Sequence, residues 1–421
     1  MSGQPGLIRV MVVVGAYLAA VNIHRSGGAV IANGLADAHG FSPADLGTIT
    51  GAMFLAAAVM QIPFGLLYDR YGPRQTLAGM GLIGTVGIVI FALGETVPAL
   101  FLGRFLTGVG QAGVVTGVFL LSMAWARPER TATVAATTIG AAGGVGGLLA
   151  TTPLALALTH HGFAVTFGII AALNLALVAL IQVAARDAPA AAETPDTPPR
   201  RPETLRQSLR GLWSVATDRR LWGIFAMGSC FAAPYAAIGG LWAGPYLVTV
   251  HQLSTTEASY VLLAMTVTYN LGTFLYGPMD RVFDSRKRVV LGGAWIMAGL
   301  LGALALLDPA PMPVAVALLV AFPLFASYFV TLVTHCRAFV PASFAGRAVA
   351  CVNLFGISGI FVLQAGTGVV IEAVADAGAD PALGFRLTFG LVAALLVAVS
   401  VPYLARVPDV RPSEAAGPAG R

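Results

Sequence analysis

Apolar residues in this chain gather into twelve long blocks separated by short polar stretches. A helix needs roughly 20 such residues to cross the hydrocarbon core of a bilayer, and each block is long enough. They fall near 9–32, 44–66, 75–95, 98–124, 132–157 and 163–185, then near 221–247, 256–278, 288–308, 312–335, 348–371 and 385–406. The pattern predicts an all-α membrane protein of twelve transmembrane helices. The first block is too long for the core of a signal peptide and has no basic cluster ahead of it, so it reads as an uncleaved helix.

Between the sixth and seventh blocks lies RDAPAAAETPDTPPRRPETLRQSLR, rich in proline and charge, with too little apolar surface to fold alone. It divides the chain into an N-terminal six-helix bundle over 1–185, a linker over 186–220, a C-terminal six-helix bundle over 221–406 and a tail over 407–421. Basic residues set the expected orientation. Placing the amino terminus, the even-to-odd loops, the linker and the tail on one side collects 21 of the 24 arginines and lysines. That side is expected to be the cytoplasm, with both termini in it.

Composition strengthens this picture. The 421 residues are 57% hydrophobic and only 10% charged, against about 25% charged in soluble domains, and 50 glycines recur inside the apolar blocks, as close helix packing in lipid requires. The formal charge of +5 sits in short clusters between blocks and lines no amphipathic face, so topology explains it and nucleic acid binding does not. Cys230, Cys336 and Cys351 lie at or inside apolar blocks without ligand spacing, which predicts neither disulfides nor a zinc site. No phosphate-binding glycine loop, metal motif or nucleophile with a base is present. An enzyme, a metal and a cofactor are therefore not expected.

The loop after the second block reads GLLYDRYGPRQT and the loop after the eighth reads GPMDRVFDSRKR, so Asp69-Arg70 and Asp280-Arg281 stand 211 positions apart, half the chain. The repeat implies a duplicated half, a common way of placing a substrate site near the midplane of a carrier. Gly65, Asp69, Arg70, Gly72 and Arg74 resemble the signature loop between helices two and three of the major facilitator superfamily, and GRFLTGVGQAG, with Arg104, Gly108 and Gly110, resembles its fourth-helix motif. The chain departs at Pro73, where a basic residue is usual, and Gly277 precedes Asp280 by one residue fewer than Gly65 precedes Asp69. The resemblance implies two pseudo-symmetric six-helix bundles and alternating access. It also implies a gate in which Asp69 meets the cytoplasmic start of the eleventh helix, where a carboxylate suits the positive end of a helix dipole. The competing reading is a loop anchored in the headgroup region by Asp69 and Arg70.

An ionised side chain at bilayer depth costs at least ~2.5 kcal/mol and marks a cavity or pathway. Arg25 is the clearest case, two thirds along the first block, with Asn22 on its face and Gly27-Gly28 beyond. Its planar fork of donors suits a carboxylate or phosphate, which makes a small organic anion such as a carboxylate, amino acid or short peptide the expected cargo; the alternative is an arginine snorkelling to the outer interface. Arg104 fits a coupling residue or an interfacial anchor equally. His24 shares a face with Tyr17 and either carries protons or packs. Further candidates for the substrate site are Tyr235 and Trp242 in the seventh block, Tyr269 and Asn270 in the eighth, Tyr328 in the tenth, and Asn353 and Gln364 in the eleventh. Those blocks line the cavity in the family that the chain resembles, although interhelical packing uses the same residue types.

No carboxylate falls clearly at mid-membrane, so if protons are coupled, Arg25 and the acid group of the cargo share the titration, with His24 as the other option. The fifth block, IGAAGGVGGLLATTP, has the glycines but not the Gly-Pro pair of drug-exporter motifs, which leaves efflux of an amphipathic drug or metabolite as the weaker transport reading. A non-transporting membrane receptor or scaffold is the third. Abundant arginine with the single Lys287 points to a GC-rich bacterial genome, hence to a bacterial inner membrane. The expected partners are a small anionic molecule, the lipid bilayer and protons, with the protein a monomer.

Overall fold

The structure, a computed structural model, describes residues 5–187, 205–307, 310–341 and 344–415. Every described element is helical. Nine of these helices are long and apolar enough to cross a membrane, and Pro43–Val59 and Thr133–Leu149 are shorter apolar ones. Large apolar side chains such as Phe274, Val183 and Leu306 are exposed. Water would disfavour each by ~1.5–3 kcal/mol, and lipid would not.

The twelve expected spans are all present, several as broken rods. The first block, read as one helix, is two: α1 (Pro5–Ser26) and α2 (Gly28–His39), parted at Gly27. The second span is α3 (Pro43–Val59) continued by the start of α4 (Gln61–Leu93), and the third is the rest of α4 beyond Gly72. Gly72 turns the chain with φ 73°, a left-handed value that glycine adopts without penalty, and Pro73 then opens the next helix. The fourth span is α5 (Val97–Gln111) and α6 (Val114–Trp125); the fifth is α7 (Pro128–Leu149) and the start of α8 (Thr152–Ala184), whose remainder past Gly162, at φ 76°, is the sixth.

Of the linker, residues 188–204 lie outside the described residues, while α9 (Leu205–Ala216) is helical and its Gly211 lies under the Arg347 guanidinium. The seventh span is α10 (Trp222–Ser229), a π-helix over Tyr235–Trp242 and α11 (Ala243–Thr249). Then come α12 (Thr255–Val282), α13 (Arg286–Leu306), α14 (Met312–Phe325) with a 3₁₀ turn over Ala326–Tyr328 and α15 (Phe329–Arg337), α16 (Ala345–Asp376), α17 (Pro381–Arg406) and the short α18 (Pro412–Ala415).

The chain forms two compact units, one of residues 1–27 and 52–209, the other of 28–51 and 210–421. In the first, α1 is the central rod: Val14, Tyr17, Leu18 and Val21 pack with Leu77 of α4, Val118 and Leu121 of α6, and Val178 and Ile181 of α8. Helices α4 and α5 approach until backbone meets backbone, since a Cβ on Gly110 would sit 2.4 Å from Gly84 Cα and one on Gly103 would sit 2.6 Å from Phe91 N. In the second unit, α2 and the first turns of α3 pack on the π-helix and on α16. A Cβ on Gly28 would lie 2.2 Å from the Gly240 carbonyl, and one on Gly368 would lie 2.5 Å from that of Pro43. Glu372 accepts from the Ser42 hydroxyl and the Ala44 N–H, both at 3.1 Å, and so caps the start of α3.

The two loops that carry the repeat are tied down in the same way in both units. Arg74 donates its backbone N–H to Asp187 at 2.7 Å and its guanidinium to the Gln182 carbonyl. Lys287 donates its N–H to Asp409 at 3.0 Å and its ammonium to the Leu404 carbonyl at 2.6 Å, while the Ser285 hydroxyl donates to Asp409 at 2.6 Å. In each case a carboxylate just past the last helix of a half caps the start of the third. Partial burial pushes the Asp409 carboxyl up, and the bonds from Ser285, Lys287 and Val410 outweigh it, leaving the group below its ordinary range. A depressed folded-state value means that this stabilisation is present at neutral pH and lost as pH falls through it. Asp409→Ala is expected to lower stability by about 1 kcal/mol, the worth of a helix N-cap, and the loss should shrink in acid, as thermal melts at neutral and acidic pH would show.

Candidate functional site

The breaks in the first and fourth spans place two polar side chains together in the first unit. Arg25 lies in the last turn of α1, and Gln111 is the last residue of α5. Both line one cleft with the apolar Met53, Phe54 and Ala57 of α3 and with Gly108. Gly108 is what lets α5 lie on α3, since its Cβ would fall 2.3 Å from the Met53 carbonyl. The space open to water centres is about 10 Å³, enough for about one water. Beyond the break, Phe64 lies where a side chain on Gly113 would go, and Tyr68 donates to the Gly113 carbonyl at 2.6 Å, which also accepts from the Gly117 N–H at 2.9 Å.

Arg104 and His24 lie deeper in the same unit. Arg104 is 1% exposed, so the interfacial anchor it could have been in the sequence is not what the fold makes of it. Its Nη1 donates to the His24 carbonyl at 3.3 Å, its guanidinium lies 5.4 Å from the centre of the Phe91 ring, and its Nε and Nη2 have no partner. The His24 ring is buried, with Nε2 unpartnered and Phe167 6.2 Å away. Asn22, placed on the face of Arg25 by helical spacing, instead donates to the Leu18 carbonyl at 2.9 Å and packs its Cβ at Gly146 of α7.

In the second unit the π-helix gathers most of the other candidates. Tyr235 stacks on Tyr269 at 4.4 Å with the rings 5° from parallel, and its hydroxyl is 3.5 Å from that of Thr266. The Trp242 indole donates to Thr367 at 2.7 Å, and the Gln364 amide donates to the Ala236 carbonyl at 2.8 Å, leaving its buried Oε1 unpartnered. Asn270 bonds back to the Thr266 carbonyl at 2.8 Å. Tyr328, fully buried, donates to the Cys230 carbonyl at 2.9 Å, and Asn353 is half-buried on α16. His335 has both ring nitrogens engaged, with Tyr403 at 2.6 Å and the Pro408 carbonyl at 3.0 Å, which makes it a packing residue. Cys230, Cys336 and Cys351 are buried thiols.

Of the loop residues, Gly65, Asp69 and Arg70 are exposed, Arg70 lying 5.2 Å from the centre of the Tyr71 ring. Asp280 pairs with Arg286 at 3.5 Å, and Arg281 is exposed. The sequence pattern distinguishes neither Thr367 nor the two capping aspartates, and Gln111 stands seven residues after Arg104 on the same helix face. A glutamine ending a glycine-rich helix segment one residue ahead of Ala112-Gly113 was the available signal.

Interruptions fall in the first, second, fourth and fifth spans and again in the seventh and tenth, and broken helices of this kind recur in secondary transporters. The chain belongs to the Major Facilitator Superfamily, whose family model matches residues 12–362. It is 34% identical over 95 residues to the nitrate/nitrite transporter NrtP of Picosynechococcus sp., a match covering 23% of this chain and 18% of that protein. To the protein named Probable sulfoacetate transporter SauU, of Cupriavidus necator, it is 32% identical over 98 residues, 23% of this chain and 22% of the other. These matches thus span about a fifth of the curated relatives' length. Among solved structures, a bacterial homologue of the human lysosomal transporter Spinster, inward-facing and occupied, superposes with TM-score 0.78 at 19% identity, covering 96% of this chain and 97% of that one.

Proposed function

We propose that this protein is a secondary carrier moving a small organic anion across a bacterial inner membrane by alternating access, as a monomer with both termini in the cytoplasm. The observation that carries the reading is the place of Arg25: its side chain lines a cleft walled by α3 and α5 and shared with Gln111. A guanidinium there offers a planar pair of donors to a carboxylate or sulfonate. NrtP and SauU, named for anionic cargoes, support the charge assignment. Arg104 and His24, the latter next to Arg25 in sequence and bonded through its carbonyl to the Arg104 guanidinium, would couple cargo to protons. Tyr235, Trp242, Tyr269, Asn270, Tyr328, Asn353 and Gln364 would be the substrate-site residues of the second unit. The loop of Gly65, Asp69, Arg70, Gly72 and Arg74, with Asp280 and Arg281 in its repeat, would gate the cytoplasmic side, two six-helix bundles rocking about the linker.

The test is purified protein, first in binding assays and then in proteoliposomes, with a panel of small carboxylates and sulfonates. A hydrogen bond to a charged group contributes ~1.5–3 kcal/mol, so Arg25→Ala should weaken binding by roughly 10-fold to 100-fold in protein that still inserts and folds. Arg25→Lys, which keeps the charge and loses the fork, should fall between. Equal affinity in wild type and Arg25→Ala would remove the arginine from the site. Absence of flux for the whole panel would favour a scaffold.

A further inference from the structure

Gln111 is 5% exposed, faces the Arg25 cleft, and has neither amide atom hydrogen-bonded. Exchanging its oxygen and nitrogen changes nothing, because both are unpartnered. A buried amide left wholly unsatisfied is rare in folded proteins, and here it sits beside the one cationic side chain lining the cleft. The nitrogen can donate to an anionic group, as Arg25 does. The oxygen can only accept, and a bare carboxylate, sulfonate or nitrate has no hydrogen to give it.

The remaining lining near Gln111 is apolar: Met53, Phe54, Ala57 and Ala112.

We infer that the cleft, which holds about one water as it stands, selects, on opening in the transport cycle, acids that carry a hydrogen-bond donor next to the anionic group, such as 2-hydroxy or 2-amino acids, with Arg25 taking the anion and the Gln111 carbonyl taking the neighbouring hydroxyl or ammonium. The inference rests on the anion-carrier reading and narrows it. A site built to bond such a group rejects the analogue that lacks it, because the amide is then left unpaired. A single water held by Gln111 and Arg25 is the alternative occupant, and it would give no such discrimination.

Matched pairs distinguish these: glycolate against acetate, lactate against propionate, malate against succinate, each by competition binding to the full-length protein. Wild type should prefer the hydroxy acid of at least one pair by about tenfold or more. In Gln111→Met, close in volume and without the amide, that ratio should fall to near one, because the hydroxy acid loses a bond that the plain acid never made, while both lose equally any bond from the amide nitrogen to the anion. Equal binding of all pairs to wild type, with Arg25→Ala still weakening both members, would overturn this inference and keep the anion carrier. A preference that survives Gln111→Met would also overturn it, assigning the discrimination elsewhere. No binding of any of the six acids would remove both readings. Should Gln111→Met fail to fold, the wild-type ratios with lactate and with its O-methyl ether, 2-methoxypropionate, decide: the ether must lose the preference.

Discussion

Gly110→Val is expected to lower the stability of the first unit by about 3 kcal/mol or more, the upper end of what overpacking a core costs. The atoms that its Cβ would meet are Gly84 Cα and N at 2.4 Å and the Met80 carbonyl at 2.6 Å, all backbone, so no rotamer change relieves them. Helices α4 and α5 would have to part, and with them the seam at Gly87 and Gly103, where a Cβ would meet Thr107 N at 2.4 Å and Phe91 N at 2.6 Å. In lipid, close contact of this kind is much of what holds helices together, since burying apolar surface gains little there. At ~2–4 °C per kcal/mol for a unit of this size, the melting temperature in detergent should drop by roughly 6–12 °C. Gly79, on α4 with nothing within 4 Å of its Cβ position, is the control: Gly79→Ala should be neutral or stabilise by up to ~1 kcal/mol. Equal melting of Gly110→Val and wild type would mean that the two helices do not touch there.

The second large effect has the opposite sign. Arg104→Met should raise stability by up to about 2 kcal/mol and abolish transport. The guanidinium is buried, bonds one carbonyl, and leaves Nε and Nη2 without partners. Its position above the Phe91 ring returns ~0.5–2 kcal/mol, against an insertion cost of at least ~2.5 kcal/mol for the charge. Methionine fills similar space without that cost. A group retained against stability is a group retained for what the protein does. Melting temperature and proteoliposome flux, measured on the same preparation, check both halves. A fall of several degrees would show that the guanidinium holds the fold together, and unaltered flux would remove it from coupling.

Asn22 and Gln111 show how far the site could be seen beforehand. Helical spacing put Asn22 on the face of Arg25, but the amide returns to Leu18 and the side chain packs at Gly146. Gln111 lay two turns beyond Arg104 with nothing to distinguish it from a packing glutamine. Spacing fixes which residues share a face, and the neighbours decide which of them lacks a partner. Arg25 was visible because a charge inside an apolar block is anomalous wherever the block ends up.

The capping aspartates make the same point from the loops. Asp69 and Asp280 drew attention through their repeat, yet Asp187 and Asp409, which follow the last helix of each half, hold the starts of α4 beyond Gly72 and of α13. Those contacts join residues more than a hundred positions apart, and a local reading has no access to them.

The all-helical membrane fold was determined by the sequence alone, because the free energy of placing a segment in lipid adds up residue by residue along it. The breaks at Gly27 and at Ala112-Gly113, the π-helix over Tyr235–Trp242 and the unpartnered amide beside Arg25 were decided only in the tertiary structure. A helix is interrupted, and a polar group left open, according to which atoms of other helices come within hydrogen-bond reach, and that is a property of the packed bundle.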